Sequence, residues 1–141
     1  AAFLPAPYGL MRPASFSAFL LFLITLLLGL GVTVAFCMLV YMVSFFTISS
    51  VGVRMVAVSV VEFCSGGIIP LPFYPEPVRQ VLELLPFASM QNVPLRIYSG
   101  DLSGTPMRHA IFLQMFWLFA LAALGRCLDV LAMKKITIQG G

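Results

Sequence analysis

The amino-acid sequence predicts an all-α, polytopic membrane bundle, and three observations carry that prediction. Sixty-one percent of the residues are hydrophobic and only 9% are charged, where a soluble domain carries roughly 25% charged residues. The mean hydropathy is +1.06. The apolar residues also come in blocks: the 40 residues 14–53 contain no Asp, Glu, Lys, Arg or His. At about 1.5 Å per residue that block makes roughly 60 Å of helix, about twice the hydrocarbon thickness of a bilayer.

Residues 1–141 read as a single transmembrane domain with about four spans. The first is expected over residues 14–28. The "GLG" at 29–31 offers a turn, because glycine adopts backbone conformations closed to other residues. The second span then covers 32–48 and leads into the polar loop "SSVGVR". The third covers 55–69. A mostly non-spanning external segment fills 70–108, the fourth span covers 109–125, and 126–141 form a tail.

Charge orients these spans, because Lys and Arg collect in short cytoplasmic loops. With Arg12, Arg54 and the tail on one side, that side holds Arg12, Arg54, Arg126, Lys134 and Lys135 against Asp129 alone, a net of +4. The other side holds Arg79, Arg96 and Arg108 against Glu76, Glu83 and Asp101, which cancel. The +4 side is expected to be cytoplasmic, the C-terminus with it. The arrangement requires an even number of crossings between Arg12 and Arg54.

The third span carries its own interruption. "SGGIIPLPFYPEP" places Gly66 and Gly67 ahead of Pro70, Pro72, Pro75 and Pro77, and prolines at that density do not continue a regular helix. From Pro77 a short helix is expected, with Val78, Val81, Leu82 and Leu85 on one face and Arg79, Gln80 and Glu83 opposite. Such a helix lies in the membrane interface. Non-helical backbone at membrane depth is tolerated only where protein buries it or it lines a wet cavity. The break therefore fits a re-entrant element at the external mouth of a pathway, or an external loop whose helix packs over the bundle.

Other classes find little support. The chain has one His, no HExxH and no paired-Cys motif, and its carboxylates are too scattered for acid–base hydrolysis. Cys37, Cys64 and Cys127 read as small hydrophobes and not as a disulfide frame or metal site. The modest basicity is explained by topology, so no nucleic-acid partner is expected. The opening "AAFLPAPYGLMRP" lacks the basic region and short apolar core of a signal peptide. Because it begins with Ala, the chain reads as the C-terminal portion of something longer.

The run "FCSGGIIPLPFYPEPVRQVLELLPF", then "NVPLRIYSG", then the terminal "KKITIQGG" together resemble the permease subunits of ABC-2 type transporters. The pattern lies in Ser65–Gly66, Ile69–Pro70–Leu71, Tyr74–Pro75, Leu85–Pro86–Phe87, and Pro94 with Ile97–Tyr98–Ser99–Gly100 after it. The resemblance implies that these are the last four of six spans, in a bacterial inner membrane or another plasma membrane. It further implies a dimeric pore, built from two copies or two related permeases and driven by a separate cytoplasmic ATPase. No G-x-x-x-x-G-K-[ST] phosphate loop occurs here, so ATP and Mg²⁺ would be bound by that partner and this chain needs no cofactor.

Glu62 is the most pointed of the candidate functional residues. It lies inside the third span, where an acidic side chain costs about 2.5–3.5 kcal/mol on insertion scales. It either lines the pathway or a permease interface, or is protonated or tied to a neighbouring helix for packing. Ser65, Gly66, Gly67 and Pro70 form the break. Gln114 is expected to hydrogen-bond across helices, and Trp117 to pack. His109 reads as an interfacial anchor. Ser49, Ser50 and Arg54, in the loop "ISSVGVR", are candidate ATPase contacts. The expected function is that of an exporter permease. The alternatives are an ion-coupled secondary transporter using Glu62, and a non-transporting scaffold.

Overall fold

The computed structural model describes residues 15–139, with side chains through Lys134. Arg12, Ala14 and the terminal glycines lie outside the described residues. The described chain contains five α-helices and one 3-10 turn and no strand.

Helix α1 spans Phe16–Phe45. Ser15 caps it, its hydroxyl accepting from the Ala18 amide at 3.0 Å, which satisfies one of the unpaired first-turn donors. At about 1.5 Å per residue, 30 residues make roughly 45 Å. The turn expected at residues 29–31 is not formed, and one helix stands where two spans were expected. A single continuous helix thus occupies the stretch where the spans 14–28 and 32–48 were expected to pair. Glycine costs a helix only about 1 kcal/mol relative to Ala. Breaking the backbone in an apolar medium leaves N–H and C=O groups unpaired, at several kcal/mol each. No proline lies between Pro13 and Pro70, so nothing in this block forces that loss.

Ser49 caps α2 (Ser50–Ser65), so most of the expected polar loop is the first turn of a helix. Helix α2 ends at Gly66, whose φ of +87° is a left-handed cap. The amides of Gly66, Gly67 and Ile68 all converge on the Glu62 carbonyl, the last two at 3.0 and 3.3 Å. This is the C-terminal geometry that favours glycine.

After a 3-10 turn (Leu71–Phe73) come α3 (Glu76–Leu84) and α4 (Pro86–Tyr98). One short helix was expected here, and the second, which contains both Pro86 and Pro94, was not. Pro86 occupies the first helical position, where no amide is needed. Pro94 withholds the amide that would bond the Met90 carbonyl, and that carbonyl faces Gly29 of α1. A Cβ built on Gly29 would sit 2.8 Å from it and 2.9 Å from the Ser89 carbonyl. The missing side chain permits a close backbone approach between α1 and α4.

Helix α5 spans Gly104–Gln139. It includes the expected fourth span and continues through Gly125 and the backbone of most of the expected tail.

Helix α1 organises the rest. Phe36 meets Phe87 with ring centroids 5.3 Å apart, and Phe22 meets Tyr98 at 5.1 Å, so α4 runs antiparallel along the middle of α1. Arg54 lies 5.7 Å from the Tyr41 ring, which sets α2 antiparallel to the C-terminal part of α1. Thr25 pairs with Gln114, and Gly31 with Leu118, so α5 runs parallel to α1. Val32, Met90 and Leu121 form the core where α1, α4 and α5 meet.

Burial is inverted relative to a soluble protein. Thr25, Ser44, Ser65, Ser89 and Gln114 are buried, while Leu27, Phe112 and Phe119 are 68%, 76% and 68% exposed. Helix α1 and residues Gly104–Lys134 of α5 are each long and apolar enough to cross a membrane.

Candidate functional site around the broken segment

The break between α2 and α3 is held from three directions. Leu71 is buried beneath Gly66, and a Cβ on that glycine would meet the Leu71 Cγ and amide nitrogen at 3.3 Å each. The Tyr74 hydroxyl donates to the Phe63 carbonyl at 3.1 Å, and the two rings meet edge-on at 5.6 Å. That bond satisfies one of the carbonyls left open at the end of α2. Leu71, Leu82 and Ala88 then pack as a cluster, joining the turn to α3 and α4. Ser65 is buried at the helix end; Gly67 and Pro70 are exposed.

The amphipathic face expected on α3 is divided. Leu82 is buried, whereas Val78 and Val81 point outward at 43% and 59% exposure. The opposite face carries an ion-pair chain. Arg79 meets Glu76 at 2.8 Å and Glu83 at 3.9 Å, and Arg96 on α4 meets Glu83 at 3.2 Å and Asp101 at 2.7 Å. The charges expected to cancel on this side thus pair directly, with Arg108 exposed outside the chain of pairs.

Glu62 faces outward on α2 and lines a groove against α1. The groove encloses about 350 Å³ and includes Arg54, Thr33, Cys37, Tyr41 and Gln91. It joins Glu62 to Arg54, one of the three residues read as ATPase contacts. Ser49 and Ser50 lie at the α1–α2 corner, as cap and first residue of α2. Among the described residues Glu62 forms no ion pair.

Gln114 lies elsewhere, at the three-helix junction. It is completely buried, and its Nε2 donates to the Ser89 carbonyl at 2.8 Å and the Thr25 carbonyl at 3.2 Å. One side chain thereby ties α5 to both α4 and α1, the interhelical bonding expected of it. Among the described residues, its Oε1 and the Ser89 hydroxyl are buried without partners. Thr25 turns its hydroxyl back onto Leu21 at 2.8 Å.

Thr25, Ser89, Tyr74 and Trp117 are the polar contributors that sequence reasoning missed or misjudged. Trp117 was expected only to pack, yet its indole N–H donates to the Leu84 carbonyl at 2.8 Å. Leu84 ends α3, so its carbonyl lacks an intrahelical partner. The only signal available was spacing: Gln114 and Trp117 share one face of α5, and that face meets α4.

No cluster of three or more His, Cys, Asp or Glu that could hold a metal occurs among the described residues. The arrangement therefore offers helix packing, a groove with one acid and one base, and a capped break.

Comparison with curated proteins and with solved structures finds no match. The family model described as ABC-2 family transporter protein matches residues 11–140, nearly the whole chain and all five helices. The chain belongs to the ABC-2 family of transporter proteins, membrane transport components of ABC transporters.

Proposed function

We propose that this chain is the permease subunit of an ATP-driven exporter. It forms the translocation path as a dimer with a second copy or a related permease. A separate cytoplasmic subunit binds ATP and Mg²⁺ and supplies the power. The observation that carries this reading is the broken antiparallel path beside α1. Helix α2 has 16 residues, about 24 Å, less than the roughly 30 Å hydrocarbon core. Helix α4 occupies the rest of that path, reaching Gly29 near the middle of α1.

In this reading α1 and α5 each cross once, α2 crosses most of the way, and α4 re-enters from outside to close the external end of the path. Three crossings replace the four expected from composition. The parallel course of α1 and α5 puts Arg54, Arg126 and Lys134 at one end, against Asp129, and the ion-paired chain of α3 and α4 at the other. The positive-inside rule then makes the Arg54 end cytoplasmic, in the plasma membrane. Ser49, Ser50 and Arg54 face an ATPase there, and Glu62, Ser65, Gly66, Gly67 and Pro70 border the path. Gln114 supports that path from the three-helix junction.

The test is gentle purification of the full-length protein from its native membrane. A stoichiometric nucleotide-binding ATPase, with substrate-stimulated hydrolysis in vesicles, is expected. Transport driven by a proton or Na⁺ gradient without ATP would replace this reading with an ion-coupled one centred on Glu62. Gly66→Leu is expected to abolish transport while the protein still inserts. Wild-type transport by a well-inserted variant would remove the break from the mechanism.

A further inference from the structure

A second groove runs between α1 and α5, on the side away from Glu62. It encloses about 530 Å³. Gly31, Ala35, Ala122 and Gly125 keep its floor low, and α1 borders it from Leu27 to Met42. That stretch is about 22 Å long at 1.5 Å per residue, enough for one leaflet of a roughly 30 Å hydrocarbon core. Among the described residues its charged lining is Arg126 and Asp129, which stand together at one end. Both are exposed, and neither forms an ion pair among the described residues.

We propose that this groove holds a phospholipid with an ethanolamine headgroup, its phosphate on Arg126, its ammonium on Asp129 and an acyl chain along α1. Arg126 and Asp129 stand at i and i+3, so their Cβ atoms lie about 5–6 Å apart. The two-carbon bridge between phosphate and amine in this headgroup spans a similar distance. A guanidinium binds phosphate oxygens in a fork, and a carboxylate accepts the ammonium protons, both charge-assisted bonds. A choline headgroup has no N–H to donate, and a glycerol headgroup has no cation for Asp129. A second copy of the chain seated in this groove would pair Arg126 of one copy with Asp129 of the other, and the binding experiment separates it from lipid, because it would leave none of the three phospholipids bound. The Glu62 groove does not fit the same headgroup, because its Arg54 and Glu62 are eight residues, about 12 Å, apart on α2.

The inference rests on the proposed crossing of α1 and α5 with Arg126 at the cytoplasmic surface, so the experiment reads the two separately. The full-length protein is purified and titrated with ethanolamine, choline and glycerol phospholipids of identical acyl chains, and bound lipid is counted by native mass spectrometry. The ethanolamine lipid is expected to bind about tenfold more tightly than the choline lipid, the gain from one added charge-assisted bond. Asp129→Asn should bring that ratio within about twofold of unity while phospholipid still binds. Nothing lies within 4 Å of a Cβ on Gly125, so Gly125→Leu should fill the groove without disturbing the helices and abolish retention. Equal binding of the three lipids, a preference for the glycerol lipid, or an unchanged ratio in Asp129→Asn would overturn the site. Cys127 is exposed beside Arg126. With Cys37 and Cys64 replaced by Ala, its labelling by an impermeant maleimide reports orientation. Labelling from the cytoplasmic face only, with no ethanolamine preference, rejects the site alone; labelling from outside rejects the orientation and the inference with it.

Discussion

Gly29 with Gly31, and Gly66 with Gly67, offer the same local signal within apolar sequence, and they do opposite things. At the first pair α1 continues without a break, and Gly29 admits the α4 backbone against its own. At the second, Gly66 takes a left-handed conformation that ends α2, and three amides close on the Glu62 carbonyl. The flanking residues account for the difference. A mostly apolar, proline-free stretch of helix surrounds the first pair on both sides, whereas Pro70 comes just after the second and makes resumption of the helix costly. A glycine pair permits a break; the sequence beyond it decides whether one forms.

Substitution at the first pair should produce the largest effect. In Gly29→Leu the new Cβ would lie 2.8 Å from one backbone carbonyl oxygen and 2.9 Å from another. Backbone cannot rotate aside as a side-chain tip does, so α4 must move. A loss of about 3 kcal/mol or more is expected, at or above the upper end of core overpacking, measured as denaturant unfolding in micelles. Gly31→Leu separates a backbone contact from a side-chain one. Its Cβ would meet the Leu118 Cδ1 at 3.0 Å, and Leu118 can change rotamer. A loss of about 1 kcal/mol, the low end of overpacking, is expected there. Equal losses at the two sites would mean that α4 does not seat on Gly29.

The second pair should respond to backbone conformation more than to space. Gly66→Ala forces a side chain into a left-handed cap and should cost about 1–2 kcal/mol. Gly66→Asn should recover part of that, because Asn visits this region more readily. The same unfolding measurement checks both, and equal losses for Ala and Asn would show that crowding against Leu71, and not φ, sets the cost.

The two pairs also show what the sequence disclosed. The helical class, the membrane setting and the break at Gly66 were legible, because composition, charge-free length and proline density each act locally. Helix α4 and the continuity of α1 were not. Both depend on a contact between residues 29 and 89–90 that no local pattern announces. Once that contact exists, Gly29 ceases to be a turn signal and Pro94 is accommodated inside α4. Among the candidate residues, the Glu62-to-Pro70 set is contiguous, so its proximity comes from the chain itself. Gln114 was recognisable as a polar side chain in an apolar helix, yet its partners are the carbonyls of Thr25 and Ser89, which every residue type carries.

The smallest expected effect tests how α3 and α4 are tied to α5 beyond the Gly29 contact. Trp117→Phe removes the donor to the Leu84 carbonyl and keeps an aromatic ring beside Phe116. Polar contacts between membrane helices average about 0.6 kcal/mol, so a loss near that size is expected. Gln114→Leu should cost little more, although it removes two bonds: it also removes a buried Oε1 that has no partner, and leaving such an atom unpaired costs about 1–3 kcal/mol. The Thr25 and Ser89 carbonyls meanwhile keep their own helical amides. A loss above about 3 kcal/mol in Gln114→Leu would mean that Oε1 is satisfied after all, by an ordered water shared with the Ser89 hydroxyl. The three-helix junction would then be a completed polar network and not a packed core carrying one orphaned oxygen, and α4 would be held in place as much by that network as by Gly29.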